Sequence, residues 1–462
     1  MATLGLRSSA STTLERRLGV GSATMVNILT MIGAGPFITI PLLLQTMGGP
    51  QALIGWIIGA IIATCDGLVW AELGAAMPRS GGGYQYLLAI YSPQRLGRLM
   101  SFLFLWQAVV SLPLALASGA VGFSHYATFL YPAMTTWQSK TLAIGVCLLS
   151  MMLIYRRIDR VGRWGMAFGL IVLVVVAWII GEGVLNARLE RLSLPPDAWH
   201  LSRGFWLGLG SATLYAMYDY AGYNNVCNVG GEVLRPEVTI PRSIVAAVLV
   251  VGTLYFAMNL TIISVMPWQE AMRSQYVVSD FIAQLHHGSA ASVMTVLILV
   301  TILAGLFAGM LGASRIPYAA AVDGRFFHVF AHLHPTGRFP SFSVLFVGLA
   351  SAICCLLELN ALITALMVVY IIIGALPMVA AVTTLRRRRP DIQRPFRMWL
   401  YPLPSLVAGI GWIYIVATSG LMYILAGLGL LAIGIGAYLW RAKRAAEWPF
   451  YAGQDGCVSM LP

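Results

Sequence analysis

Charge is scarce in this sequence. Asp, Glu, Lys and Arg supply 10% of the 462 residues, against 59% hydrophobic. A water-soluble domain carries about a quarter of its residues charged, so most of this surface must face lipid. Lysine is nearly missing, with only Lys140 and Lys443. The six cysteines have no CxxC spacing. Cys65, Cys147, Cys227, Cys354 and Cys355 lie in or beside apolar runs and Cys457 in the tail, so they read as small apolar side chains. There is no GxxxxGK[ST], which argues against an ATP-driven pump. There is no HExxH and no Ser/His arrangement inside an apolar run, so no enzyme is expected. The first 20 residues are polar, carry Arg7, Arg16 and Arg17, and lack the apolar core of a cleaved secretory signal.

What is present is a train of apolar segments. Twelve can be read, at about 22–47, 51–77, 97–122, 139–155, 164–185, 204–232, 243–266, 290–314, 341–358, 360–384, 402–420 and 422–440. A bilayer core of about 30 Å takes about 20 apolar residues per helix. An all-α polytopic membrane protein with 12 transmembrane helices is therefore expected. With the N-terminus inside, 24 of the 29 Lys and Arg fall in inside loops, and only Lys140, Arg188, Arg191, Arg203 and Arg273 fall outside. That asymmetry follows the positive-inside pattern and places both termini in the cytoplasm, at the plasma (inner) membrane. It also accounts for the net charge of +12 without nucleic acid as a partner.

Two segments are interrupted. The first contains Met31-Ile32-Gly33-Ala34-Gly35-Pro36-Phe37, and the sixth carries Tyr218-Asp219-Tyr220-Ala221-Gly222-Tyr223 in mid-span. Unwound backbone in hydrocarbon is tolerated only where protein or a cavity encloses it. A break also makes two helix ends: free N–H groups near Gly35-Pro36 suit an anionic group, and free carbonyls near Ile32 suit a cation. Pro36 fits a first helical turn. A glycine-rich packing face or a proline kink explains the first string taken alone. Paired interruptions in two halves point instead to an inverted-repeat transporter with a site for a small zwitterion.

The intramembrane acids follow the same logic. Asp219, among Tyr218, Tyr220, Tyr223, Asn224 and Asn225, could hold an amine, carry a proton, or anchor the break structurally. Asp66 could lie on a proton or ion route, with a structural role as the alternative. Glu72 and Glu232 lie near helix ends, where an Arg-paired or solvated carboxylate is expected. His328, His332 and His334 in FFHVFAHLHP include an i, i+4 pair, but no acidic or cysteine partner is near in sequence, and no metal is expected.

Several stretches together resemble the amino acid–polyamine–organocation permeases. MIGAGPFITIP is similar to their first-helix signature. AELGAAMPRSGGGYQYL, at 71–87, resembles the second-helix exit, and YAGYNNVCNVGGEVLRPEVTIPRSI, at 220–244, the sixth helix and its loop. GASRIPYAAAVDGRFFHVFAHLHP, at 312–335, resembles the eighth-helix exit, and RRRRPDIQRPFRMWLYP, at 386–402, the tenth. The match runs in order from about Leu14 to Pro402. It implies the leucine-transporter fold, a 5+5 inverted repeat plus two C-terminal helices, with helices 1 and 6 unwound in mid-membrane. The parts would be a cytoplasmic segment at 1–21, repeat 1 at 22–185, repeat 2 at 204–384, the extra helices at 402–440 and a cytoplasmic tail at 441–462.

The resemblance further implies a substrate between helices 1, 3, 6, 8 and 10. Ile32 and Gly33 would face its amine, and the N–H groups of Ala34 and Gly35 its carboxylate. Tyr218, Asp219, Gly222, Tyr223 and Asn224 would form the sixth-helix side, and Trp106, Gln107, Phe307 and Tyr370 are candidate pocket-lining residues. Ala34 stands where the family has serine, and Asp219 where it has mostly small residues, which favours a ligand bearing a cation. No lysine lies in the fifth segment, so coupling by a lysine in place of sodium is unsupported, and protons, sodium or exchange remain open. The expectation is a secondary transporter of amino acids or related amines working by alternating access. A polyamine or organic-cation carrier and a non-transporting sensor are the alternatives. No cofactor and no obligatory protein partner are expected beyond the small-molecule substrate and the bilayer.

Overall fold

The computed structural model describes residues 16, 18–78, 81–92, 95–155, 161–286, 288–334, 339–445 and 447–450, with the side chains of 155, 161–170 and 308 excepted. Most of the expected N-terminal segment and C-terminal tail, with Arg7, Arg17 and Cys457, lies outside the described residues. So do Arg79, Arg156, Arg157, Arg160 and Arg338. The described chain is helical throughout: α1 (Val20–Met31), α2 (Gly35–Met47), α3 (Ile54–Ala76), α4 (Gly83–Ile90), α5 (Leu96–Leu130), α6 (Thr136–Tyr155), α7 (Val161–Leu185), α8 (Arg203–Tyr220), α9 (Pro236–Val265), α10 (Trp268–Arg273), α11 (Val277–Leu285), α12 (Ala290–Val322), α13 (Ser341–Cys354), α14 (Leu359–Tyr370), α15 (Leu376–Arg388), α16 (Leu403–Thr418) and α17 (Leu421–Arg444).

Among the described residues, seven helical stretches are long and apolar enough to cross a bilayer. The bent pair α1–α2 makes an eighth. The chain is thus a multi-pass membrane protein by length and composition. Each of the twelve apolar segments contains a helix, but the helices do not respect hydropathy limits. α5 runs on to Leu130, α9 starts at Pro236 and α12 reaches Val322. Polar side chains in these extensions bond back to their own helix: Ser124 Oγ donates to Val121 O at 2.8 Å. The tenth segment holds a π-helical turn, Ile371–Ala375, between α14 and α15 that hydropathy does not signal. The short helices α4, α10 and α11 lie in connections between the long ones.

Small residues set how closely the helices approach. A Cβ on Gly55 would stand 2.8 Å from the Ala212 backbone, so α3 and α8 touch main chain to main chain. A Cβ on Gly348 would meet the Met151 side chain, its Cγ at 2.7 Å, where α13 packs on α6. Such contacts are how apolar helices associate where lipid offers no hydrophobic drive. At the charged end of α3, buried Glu72 receives Arg386 Nε at 2.8 Å and Nη2 at 2.6 Å, plus the Met398 N–H at 2.9 Å. The Arg386 guanidinium lies 3.8 Å over the Tyr401 ring. Nearby, Arg389 grips Asp391 and holds its carboxyl below the usual range. The described cysteines are free thiols.

Candidate functional site

The first interruption is a true break. α1 ends as Ile32 N–H donates to Ile28 O at 2.8 Å. Gly33 N–H then reaches Met31 O at 3.0 Å, and α2 starts at Gly35 with Pro36 as its second residue, bent 53° from α1. Pro36 has no N–H to lose, and the N–H groups of Ala34 and Gly35 precede any intrahelical acceptor. The loose end of α1 is held by Tyr255, whose hydroxyl donates to Met31 O at 3.0 Å. Beside Gly33 there is open space, with no atom within 4 Å of where a Cβ would stand.

The second interruption begins one residue after Tyr220. Residues 221–232 leave the α-helix as turns and two short 3-10 pieces, Asn225–Asn228 and Gly230–Glu232, before α9. The sixth apolar segment, read over 204–232 with an interruption at 218–223, thus holds α8 followed by this non-α-helical stretch. The released stretch docks on α1. Val226 N–H donates to Asn27 Oδ1 at 2.8 Å, and Asn225 Nδ2 to Thr30 Oγ1 at 2.9 Å. Gly222 makes the approach possible. Its φ of +116° suits glycine alone, and a Cβ there would meet Thr30 Cγ2 at 2.9 Å and the Met31 N at 3.2 Å. The two breaks are therefore one structure. A further strap, the bridge between Leu18 and Val233, closes the entrance of α1 against the same stretch.

Asp219, in the last turn of α8, is 2% exposed. Its Oδ2 and the Gly35 carbonyl oxygen, the latter at 3.0 Å, both lie within hydrogen-bond reach of the Thr39 hydroxyl, whose one hydrogen serves one of them at a time. Its Oδ1 has no partner. That oxygen lies against Gly35, where a Cβ would come within 2.0 Å of it. Tyr218 borders the same glycine and shares a hydrogen bond of 2.8 Å with Ser118 of α5. Ala34 approaches α5 beside Gly119. Ile32, Gly33, Ala34, Gly35, Tyr218, Asp219 and Gly222 thus converge on the break.

The other candidates do not gather there. Tyr223 is buried and donates its hydroxyl to Asp66 Oδ2 at 2.6 Å, while Trp412 Nε1 donates to Asp66 Oδ1 at 3.0 Å. Tyr370 meets Trp412 edge to face, with ring centroids 6.1 Å apart. Gln107 donates to Ser111 at 2.8 Å and faces Gly374 in the π-helical turn, as does Tyr370. These residues form a second cluster around α3, α14 and α16. Trp106 belongs to neither: its indole donates to Leu430 O at 3.1 Å and packs on Gly434 of α17. Phe307 is half-buried on α12, and Asn224 is half-buried at the start of the first 3-10 piece. Thr39, Ser118, Asn27 and Tyr255 were not singled out in sequence. Thr39 alone had a signal, standing one helical turn after Gly35.

A separate cavity of about 910 Å³ lies between α5, α6, α10–α11 and the turn after α13, lined among others by His125, Lys140, Arg273 and Glu358. Lys140 crosses it to Leu356 O at 3.0 Å and Glu358 at 3.7 Å. Among the described residues no group of three or more His, Cys, Asp or Glu could hold a metal ion, the histidines of FFHVFAHLHP included.

An apolar helical bundle whose two interrupted helices are tied break to break defines a class of membrane carrier. Comparison with known proteins gives the family: the family model described as amino acid permease matches residues 18–436, and the chain belongs to that family. It is 24% identical over 379 residues to the cationic amino acid transporter 4 of Mus musculus, covering 77% of this chain but 58% of that protein. It is 26% identical over 423 residues to the methylthioribose transporter of Bacillus subtilis, covering 87% and 88% of the two chains. With the large neutral amino acids transporter small subunit 2 of Mus musculus it shares 29% over 422 residues, 88% of this chain and 76% of the other.

Proposed function

We propose that the protein is a secondary active transporter, moving amino acids or related amines across the plasma membrane by alternating access. The observation that carries this reading is the union of the two breaks through Gly222 on Thr30 and Met31, within a chain of the amino acid permease family. The substrate's amine would meet the carbonyl end near Ile32 and Gly33. Its far side would meet Ala34, Gly35, Tyr218 and Asp219. Phe307 and Asn224 would border that space, and Gln107, Tyr223 and Tyr370 would support it from outside, with Trp106 apart against α17.

The proposed topology is twelve spans with both termini cytoplasmic, arranged as two inverted five-helix repeats, 22–185 and 204–384, followed by 402–440. The seven long helices and the bent pair supply eight spans. α7, α8, α13 and α16 would supply the rest. Transport would need no bound cofactor and would be driven by protons, sodium or exchange. Asp66, paired on both oxygens, is assigned here to structure rather than to a proton route. Uptake of radiolabelled amino acids and amines into proteoliposomes tests the reading: saturable flux or exchange is expected. Ligand binding without flux would replace the carrier with a sensor.

A further inference from the structure

The break has a built-in polarity. Carbonyls face it from the end of α1 and N–H groups from the start of α2, where the helix dipole places about half a positive charge. A ligand carboxylate would settle on the N–H side. Beside that end of α2 already stands the protein's own carboxylate, though none of these N–H groups bonds to it. Asp219 Oδ1 rests against Gly35, the first residue of α2, close enough that a Cβ would stand 2.0 Å from it. Asp219 is 2% exposed, and Oδ1 has no hydrogen-bond partner. Among the described residues of α1, α2 and α8 no cation answers it: there is no charged residue between Val20 and Met47, and the only described cation on α8 is Arg203, more than four helical turns away. A buried carboxyl group in this state is completed by a proton or by an arriving cation, and two carboxylates sharing one such space cannot both stay ionised.

We propose that Asp219 stands in for the ligand's carboxylate, so that the site selects amines lacking an α-carboxylate over the corresponding amino acids. This rests on the reading of the break as the substrate site. The ligand's ammonium would bridge the free Oδ1 and the carbonyl end of α1, with the Tyr218 ring alongside. Thr39 is a positioning residue: its hydroxyl holds Oδ2 and turns Oδ1 to the break.

The test is a thermal-shift titration of the purified full chain with matched pairs: lysine and cadaverine, ornithine and putrescine, arginine and agmatine, leucine and isoamylamine. At least one amine is expected to raise the melting temperature at a concentration at least about tenfold lower than its parent amino acid does. In Asp219→Asn the amine's advantage over its parent should shrink at least about tenfold. The wild-type comparison stands even if that variant fails to fold. Equal or tighter binding of the amino acids, or no shift with any pair, overturns the proposal. Amino acid uptake by the same preparation would then leave the carrier reading intact while the assignment of Asp219 falls.

Discussion

Asp66 and Asp219 are both buried carboxylates in apolar helices, and their surroundings differ in kind. Asp66 accepts from Tyr223 and from Trp412, one donor on each oxygen. Glu72, further along α3, is met by two guanidinium bonds and a backbone N–H. On α8, Asp219 has a single hydroxyl on one oxygen and nothing on the other. A fully satisfied buried acid stiffens its surroundings, whereas a half-satisfied one is costly unless something else completes it. The α3 side reads as scaffold and the α8 side as a place where a ligand arrives.

Breaking the scaffold side should produce the largest losses. Arg386→Ala leaves Glu72 buried without its cation and is expected to cost about 3–5 kcal/mol of stability, read as a lower melting temperature in detergent. Asp66→Ala strands the Tyr223 hydroxyl and the Trp412 N–H, for about 2–5 kcal/mol by the same measurement. Uptake per folded molecule should survive Asp66→Asn, which keeps an acceptor. Loss of flux with stability retained would instead move Asp66 into the transport machinery.

The break side should lose less stability and more ligand binding. Gly222→Ala forces a side chain onto Thr30 at positive φ and is expected to cost about 1–3 kcal/mol, with uptake reduced. Asp219→Asn keeps the Thr39 contact and should change stability by less than about 1 kcal/mol. Its effect should appear in ligand affinity. Gly35→Ala, which drives a methyl group into Asp219 Oδ1, should abolish binding. Pairing it with Asp219→Gly should recover part of the lost fold, a coupling that a double-mutant cycle measures.

Much of the fold was legible because apolar length and punctuation are local properties. Gly33, Gly35 and Pro36 point to a break once paired with the second interruption, and Glu72 near a helix end reads as an Arg-paired or solvated carboxylate without naming Arg386. The rest was set by distant partners. Asp66 finds Tyr223 at a separation of 157 residues and Trp412 at 346, and no period or spacing encodes such meetings. Trp106 and Gln107 are adjacent on α5, so the helix turns them about 100° apart. One faces α17 and the other the π-helical turn, and hydropathy alone cannot tell such neighbours apart. Asp219 was visible as an oddity, an acid in mid-span. Its free oxygen against Gly35 belongs to the packing of α8 on α2.

The most direct measurement is a cryo-electron microscopy structure of the full chain with a bound ligand from the thermal-shift series. Ligand density lodged between residues 32–35 and 218–222, in contact with Asp219 Oδ1, is the predicted result. Density confined to the cavity near His125 and Lys140, with α1 and α2 joined into one continuous helix, would contradict it.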